Sequence, residues 1–158
     1  MDDKIQIRPL HAEDRAFLNE ALYYAIFVPP EATSPPKTIV QQPDLVRYIE
    51  GFGTWDGDLG ILAVSDMIPV GAAWARFVRG YGFVDENIPE LSISIIPGYR
   101  GGGIGTTMLQ ALFAQLKGKA QQVSLSVNLA NPAYYLYKRL GFEVVATDGN
   151  SVIMLRNL

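Results

Sequence analysis

The chain is predicted to fold as a mixed α+β domain, with a central, mostly antiparallel sheet that contains one parallel strand pair and is flanked by about four helices. Three features point there. Short alternating apolar runs, the mark of strands, recur along the chain with amphipathic helical runs between some of them. A strand, a glycine-rich turn, a helix and a second strand follow one another between Glu90 and Val127, the order of a crossover joining parallel strands. Paired apolar runs joined by short turns elsewhere read as antiparallel hairpins.

Taken in order, Ile5 and Ile7 alternate with Gln6 and Arg8 and predict a short strand ended by Pro9. Asp14 suits the first turn of the next helix, whose apolar face is Leu18, Ala21, Leu22 and Ala25 at helical spacing. Pro29 and Pro30 stop it. With Pro35 and Pro36 following, Val28 to Lys37 is expected to be an ordered, irregular loop. A second short helix is expected from about Pro43 to Glu50, with Pro43 in its first turn.

Leu59 to Val64 is apolar on both faces, as a central strand would be. A turn from Ser65 to Pro69 leads to a returning strand, Val70 to Val78, and Arg79-Gly80-Tyr81-Gly82 reads as a flexible break. Glu90 to Ile96 is the next strand, with Leu91, Ile93 and Ile95 on one face and Ser92 and Ser94 on the other. Ile104, Met108, Leu112 and Leu116 lie four apart on one helical face, and Gly118 ends that helix. Val123, Leu125 and Val127 mark the parallel partner strand. Pro132 to Leu140 is a short helix capped by Gly141, and Phe142 to Ala146 pairs with Ser151 to Leu155 through Thr147-Asp148-Gly149-Asn150. Both Val70–Val78 and Ser151–Leu155 are candidates for sheet edges, where a second copy could pair, so a monomer or a homodimer is expected. The 158 residues are expected to form a single domain, 1–158.

The densest chemical signal is Pro97-Gly98-Tyr99-Arg100-Gly101-Gly102-Gly103-Ile104-Gly105-Thr106. A glycine turn opening a helix lets backbone N–H groups approach an anion closely and adds the positive end of the helix dipole. Residues Arg100 to Thr106 are therefore expected to hold a phosphate or pyrophosphate. A P-loop needs Lys and Ser/Thr after its last glycine, where Ile104 and Gly105 stand. A dinucleotide fingerprint needs a different glycine spacing and an acidic residue about 20 positions on, where the chain reads Gln121-Gln122-Val123-Ser124.

Arg100-x-x-Gly103-x-Gly105 resembles the acyl-coenzyme A signature of the GCN5-related N-acetyltransferase (GNAT) family. Asn131-Pro132-Ala133-Tyr134-Tyr135-Leu136-Tyr137-Lys138-Arg139-Leu140-Gly141-Phe142 resembles the same family's late segment. The likeness is sharp from Glu90 to Phe142 and only architectural before Pro89. It implies a GNAT-like fold whose sheet is splayed at one parallel strand pair, with acetyl-coenzyme A as cofactor. The implied activity is direct transfer of an acetyl group to a primary amine in a ternary complex, so the chain is expected to be an acetyltransferase. The alternative is a non-catalytic acyl-coenzyme A sensor or structural module of the same fold.

The resemblance also implies roles. Arg100, Gly101, Gly102, Gly103, Ile104, Gly105 and Thr106 would present backbone N–H groups to the pyrophosphate, and the pantetheine arm would lie along the end of the Glu90–Ile96 strand. Pro97, which cannot donate to a ladder, suits a place where strands separate. A backbone N–H near Ile95 would stabilise the oxyanion. Tyr137 would protonate the leaving thiolate; a phenol with pKa about 10 is a competent donor to a thiolate near about 8.5. Otherwise it is an ordinary core tyrosine. Asn131 would bond the pantetheine amide or cap its helix. Glu90 is either the general base, as a glutamate on this strand is in some members, or a solvated strand-end charge. Tyr24, Phe27 and Trp74, with Tyr23 and Trp55, are candidates for the acceptor wall, although aromatics are more often core.

Composition is that of an ordinary folded chain, 49% hydrophobic and 18% charged, with net charge −3. No basic excess points to nucleic acid. The mild acidity is compatible with a cationic amine. There is no cysteine, which removes disulfides and a cysteine nucleophile. No metal-ligand spacing occurs, and His11 beside Pro9 and Leu10 reads as a surface loop residue. Without an apolar signal core or membrane-length run, a cytoplasmic protein with no membrane partner is expected.

Overall fold

The computed structural model describes residues 5–158. Seven strands form one sheet in the order β1-β2-β3-β4-β5-β7-β6. They are β1 (Ile5–Pro9), β2 (Leu59–Ser65), β3 (Ile68–Arg76), β4 (Glu90–Ile95), β5 (Gln122–Asn128), β6 (Glu143–Asp148) and β7 (Ser151–Asn157). The helices are α1 (Phe17–Ala25), α2 (Pro43–Val46), α3 (Ile104–Leu116) and α4 (Ala133–Arg139), with 3-10 turns at Ala12–Asp14 and Lys37–Gln41. Every strand pair is antiparallel except β4 with β5. The expected mixed α+β architecture, with its one parallel pair reached through a helical crossover, is the one observed.

Both faces of the sheet are covered. On one, α3 lays Ile104, Met108, Leu109, Leu112 and Leu116 against Ile61, Ala63, Ala73 and Leu91. On the other, Leu18, Ala21 and Leu22 of α1 pack with Tyr48, Ile49 and Phe52 over Leu62, Val64, Ala72 and Trp74. Alternate residues of β2 thus enter two different cores, which is why that segment reads as apolar on both sides.

Several expectations are corrected. The segments expected to form sheet edges, β3 and β7, are interior: β3 lies between β2 and β4, and β7 between β5 and β6. The edges are β1 and β6, so β3 and β7 offer no free pairing groups to a second copy. Pro9, lacking an N–H, ends the edge strand β1 without breaking a ladder. The helix expected to reach Glu50 is regular only to Val46, after which Tyr48 and Ile49 donate to carbonyls three residues back, Leu45 and Val46. That tightening accompanies the burial of Tyr48, Ile49 and Phe52. Asp14 does not start α1; its carboxylate binds the Arg8 guanidinium at 2.8 and 3.0 Å and caps the His11 N–H at 2.8 Å. The β2–β3 turn is only two residues, Asp66 and Met67, both in the left-handed region at φ 50° and 70°.

The break at Arg79–Gly82 is clamped rather than flexible. The N–H groups of Gly80 and Gly82 donate to the Glu90 carboxylate at 2.7 and 3.1 Å, and the Tyr81 N–H donates to the Tyr48 hydroxyl at 2.7 Å. A Cβ on Gly82 would stand 2.7 Å from the backbone carbon of Leu125. The glycines are there for close approach, not for mobility.

Candidate active site

The parallel pair β4–β5 is joined at a single register position, Glu90 opposite Ser124. The Ser124 N–H donates to the Pro89 carbonyl at 3.0 Å, and its hydroxyl donates to the Gly82 carbonyl at 2.7 Å. Beyond that point the strands separate. The Ile96 N–H donates to the Val70 carbonyl at 2.9 Å, which fixes the phase of the β3–β4 ladder. Bonds then alternate, so Leu91, Ile93 and Ile95 turn their N–H and C=O groups away from β3; the Leu91 N–H meets the Ser124 carbonyl in the bridge to β5, and the rest face the gap. The Ile95 carbonyl accordingly accepts from the Arg100 guanidinium at 2.8 Å.

A cavity of about 450 Å³ opens on this gap. Its floor is Glu90 to Ile93 of β4 and Leu125 to Asn128 of β5; Leu22, Ala25, Ile26 and Phe27 form one wall, and Asp148 and Ser151–Ile153 of the last hairpin another. Leu45, Tyr48, Tyr81, Asn131 and Tyr137 complete it.

Tyr137 is buried, its ring edge-on to Phe142 at 5.8 Å between centroids, and its hydroxyl has no hydrogen-bond partner among the described residues. Burial pushes its pKa up to about 12, so it is held protonated at neutral pH. An inward phenol without a partner is the arrangement that would serve a ligand atom.

Glu90 is not a solvated strand-end charge: it is 3% exposed. Its carboxylate accepts from the Tyr48 hydroxyl at 2.8 Å and from Gly80 and Gly82. Burial raises its pKa, against the opposing pull of those donors and of the Arg47 charge. Tyr48 is pushed up as well, by burial and then by the facing carboxylate. Glu90 starts β4 and Ile95 ends it, so about 17 Å of strand separates them. Glu90 therefore cannot touch a group held at Ile95.

The glycine turn lies past the end of β4. Gly98, Gly101 and Gly103 have φ of 98°, 84° and 83°, and a Cβ on any of them would meet nothing within 4 Å. Gly103 in the left-handed conformation precedes α3, and no side chain caps the helix. The N–H groups of Gly101 to Thr106 find no acceptor among the described residues, while that of Thr107 returns to the Gly103 carbonyl at 3.2 Å. The Ile104 side chain is buried in the core, as is Gly105, whose Cα faces Ile95 and Leu136. The Arg100 side chain folds back onto the Ile95 and Tyr24 carbonyls, tying the turn to the ends of β4 and α1. This tether was not foreseen from sequence.

The Asn131 side-chain Oδ1 accepts from the Ala133 N–H at 3.0 Å, capping α4, while the residue also lines the cavity. Both expected roles are thus geometrically available.

The acceptor-wall candidates divide. Phe27 lines the cavity. Trp74 does not: it is 1% exposed under α1, its indole N–H donating to the Tyr48 carbonyl at 3.0 Å. Strand alternation puts it on the sheet face that α1 covers. The half-buried Tyr24 is not part of the lining and contributes its carbonyl to Arg100. Tyr23 is bonded to the Pro35 carbonyl at 2.7 Å, and Trp55 lies under the Arg76 guanidinium, away from the cavity. The ionisable lining residues that sequence reasoning missed are Tyr48, Tyr81 and Asp148. The only advance signal for the first two was the Gly80-x-Gly82 pair, which marks a close backbone approach.

Comparison with known proteins agrees with this geometry. Residues 57–144, more than half of the chain, match the family model described as an acetyltransferase (GNAT) domain. An N-alpha-acetyltransferase of Saccharolobus solfataricus is 32% identical over 94 residues, covering 53% of this chain and 56% of that protein. One from Sulfurisphaera tokodaii is 45% identical over 58 residues, 35% of each. The matched stretches thus span about half or less of these relatives. The crystal structure of PaiA N-acetyltransferase from Thermoplasma acidophilum, in complex with coenzyme A, superposes over 100% of both chains with TM-score 0.69 at 23% identity. The splayed strand pair, the glycine turn and the family match together place this chain in the GNAT acetyltransferase family.

Proposed function

We propose that this chain, as a single acetyltransferase domain over residues 1–158, transfers an acetyl group from acetyl-coenzyme A to a primary amine by direct attack, with both substrates bound together. The reading is carried by one observation: a gap in the sheet lined by unpaired backbone groups of β4, with the partnerless Tyr137 hydroxyl beside it. It is further supported by the names of the relatives, and nothing in the structure or the comparisons favours a non-catalytic sensor.

The residues fit acetyl-coenzyme A. The N–H groups of Gly101 to Thr106 would hold its pyrophosphate, since they lack acceptors and open space lies before the glycines. The Ile95 N–H and the Ile93 carbonyl would hold its amide-bearing arm like an added strand, with the free amide nitrogen of Asn131 alongside. When bound, acetyl-coenzyme A supplies the thioester that gives up the acetyl group. The arm leaves the glycine turn past Ile95, so the backbone N–H near Ile95 that meets oxyanion charge is that of Ile93, also aimed into the gap. Tyr137 holds a proton available to sulfur. Glu90 receives the amine's proton through cavity water, because the strand length forbids contact; its raised pKa suits a base and its Oε1 keeps a free lone pair. Phe27 contributes to the acceptor wall. The acceptor is a small amine or a peptide N-terminus. A cytoplasmic location and action as a monomer or homodimer belong to the same reading.

The test is release of free thiol from acetyl-coenzyme A in the presence of amines. Tyr137→Phe is expected to lower kcat by at least about tenfold while acetyl-coenzyme A affinity stays nearly unchanged. Unchanged turnover removes Tyr137 from the mechanism. No thiol release with any amine removes the reading itself.

A further inference from the structure

The cavity has a charge character that acetyl transfer alone does not require. Among the described residues that line it, none is Lys, Arg or His, whereas Glu90 and Asp148 bring carboxylates. Tyr81 at its side is held by the exposed Asp44 carboxylate through its hydroxyl. Two guanidiniums come near without entering. Arg47 lies 5.7 and 5.2 Å from the centroids of the Tyr48 and Tyr81 rings and lines a separate depression with Trp55 and Phe77. Arg100 is engaged by the Ile95 and Tyr24 carbonyls. The wall at the end of α1, from Leu22 to Phe27, is apolar.

We infer that the acceptor is a primary amine with no acid group beside it, either a small amine with an apolar body or the N-terminus of a peptide, and not a free amino acid. The inference rests on the acetyltransferase reading above and deepens it. An ammonium entering this cavity gains from its carboxylates. A carboxylate two bonds away would lose water against an apolar wall, find no cation, and face Glu90 and Asp148. In the reaction the nitrogen–carbon bond forms as the carbon–sulfur bond breaks. The ammonium gives up two protons, one passing through water and Glu90 to solvent and the other restoring to Tyr137 the proton it gives the departing sulfur, leaving the amide and the free thiol.

The test compares L-phenylalaninamide, 2-phenylethylamine and the peptide amide Phe-Ala-Ala with L-phenylalanine, by kcat/KM and by the shift each gives in unfolding temperature. The free acid is expected to be at least about 100-fold poorer than its amide, since placing like charges together costs several kcal/mol. It should also fail to raise the unfolding temperature where the amide raises it. Values within about threefold of each other, or equal thermal shifts, overturn the inference even if no turnover is seen. Thermal discrimination without any turnover upholds it and overturns only the catalytic reading. The peptide outperforming 2-phenylethylamine identifies the source as an N-terminus, the reverse as a small amine; both uphold the shared chemistry. Phe27→Arg, which adds a cation to the wall, should narrow the acid–amide gap by about tenfold or more. An unchanged gap in that variant, with acetyl-coenzyme A still bound, counts against it.

Discussion

Met67 sits at φ 70° in a two-residue hairpin turn with its side chain 93% exposed. Such turns favour glycine, because a Cβ in the left-handed region crowds the backbone. Nothing packs on the side chain to offset that cost. Met67→Gly is expected to raise stability by about 1 kcal/mol, read from the denaturation midpoint. At the other extreme stands Glu90, whose carboxylate accepts from Tyr48, Gly80 and Gly82. A glutamine there presents an NH₂ group to donors. Glu90→Gln is expected to cost about 2 kcal/mol or more in stability, besides any effect on the pH–rate profile. An unchanged midpoint contradicts the clamp; an unchanged pH–rate profile removes Glu90 as base. None of this was legible at Glu90 in the sequence. Alternation places a residue on a face, but the Tyr48 hydroxyl and the glycine N–H groups arrive from distant segments. The inward placement of Tyr137 was legible, because a helix of known spacing turns it toward the core.

At the scale of elements, the glycine turn and α3 separate a backbone effect from a ligand effect. A Cβ on Gly103 meets nothing in the protein, so Gly103→Ala costs only its unfavourable φ, about 1 kcal/mol. If the turn holds pyrophosphate, the same methyl group stands where the ligand approaches. Acetyl-coenzyme A affinity is then expected to fall by about tenfold or more, measured by titration calorimetry. Equal affinity in the variant places the anion elsewhere. Strands and helices were largely legible, since each carries its own period: β2 apolar on both faces, α3 with an apolar residue every fourth position. What each strand lies beside was not. Reading β3 and β7 as edges failed because neighbours in a sheet are chosen by contacts remote in sequence. Trp74 was misplaced for the same reason, its face being covered by α1.

For the whole molecule, the central feature is a sheet joined across its middle at one residue pair and open beyond it. The tyrosines around the opening leave a signature at high pH. Tyr137 titrates at about 12 when folded and near about 10 when unfolded. Below pH 10 both states keep the proton and stability is unaffected. Between about 10 and 12 the unfolded chain sheds it first, so stability falls by up to about 1.4 kcal/mol per pH unit for this group. Tyr48 and Tyr81 shift in the same direction. Tyr137→Phe should make the loss shallower over that window. The most direct test of the account is thermal unfolding with and without acetyl-coenzyme A, with ATP and NAD as controls. Ligand at about 100 times its dissociation constant stabilises by roughly 2.7 kcal/mol, a rise of several degrees for a chain of this size. The account predicts that rise with acetyl-coenzyme A alone. No rise at millimolar ligand, or an equal rise with ATP or NAD, would contradict the assignment of the gap and its glycine turn to an acyl-coenzyme A.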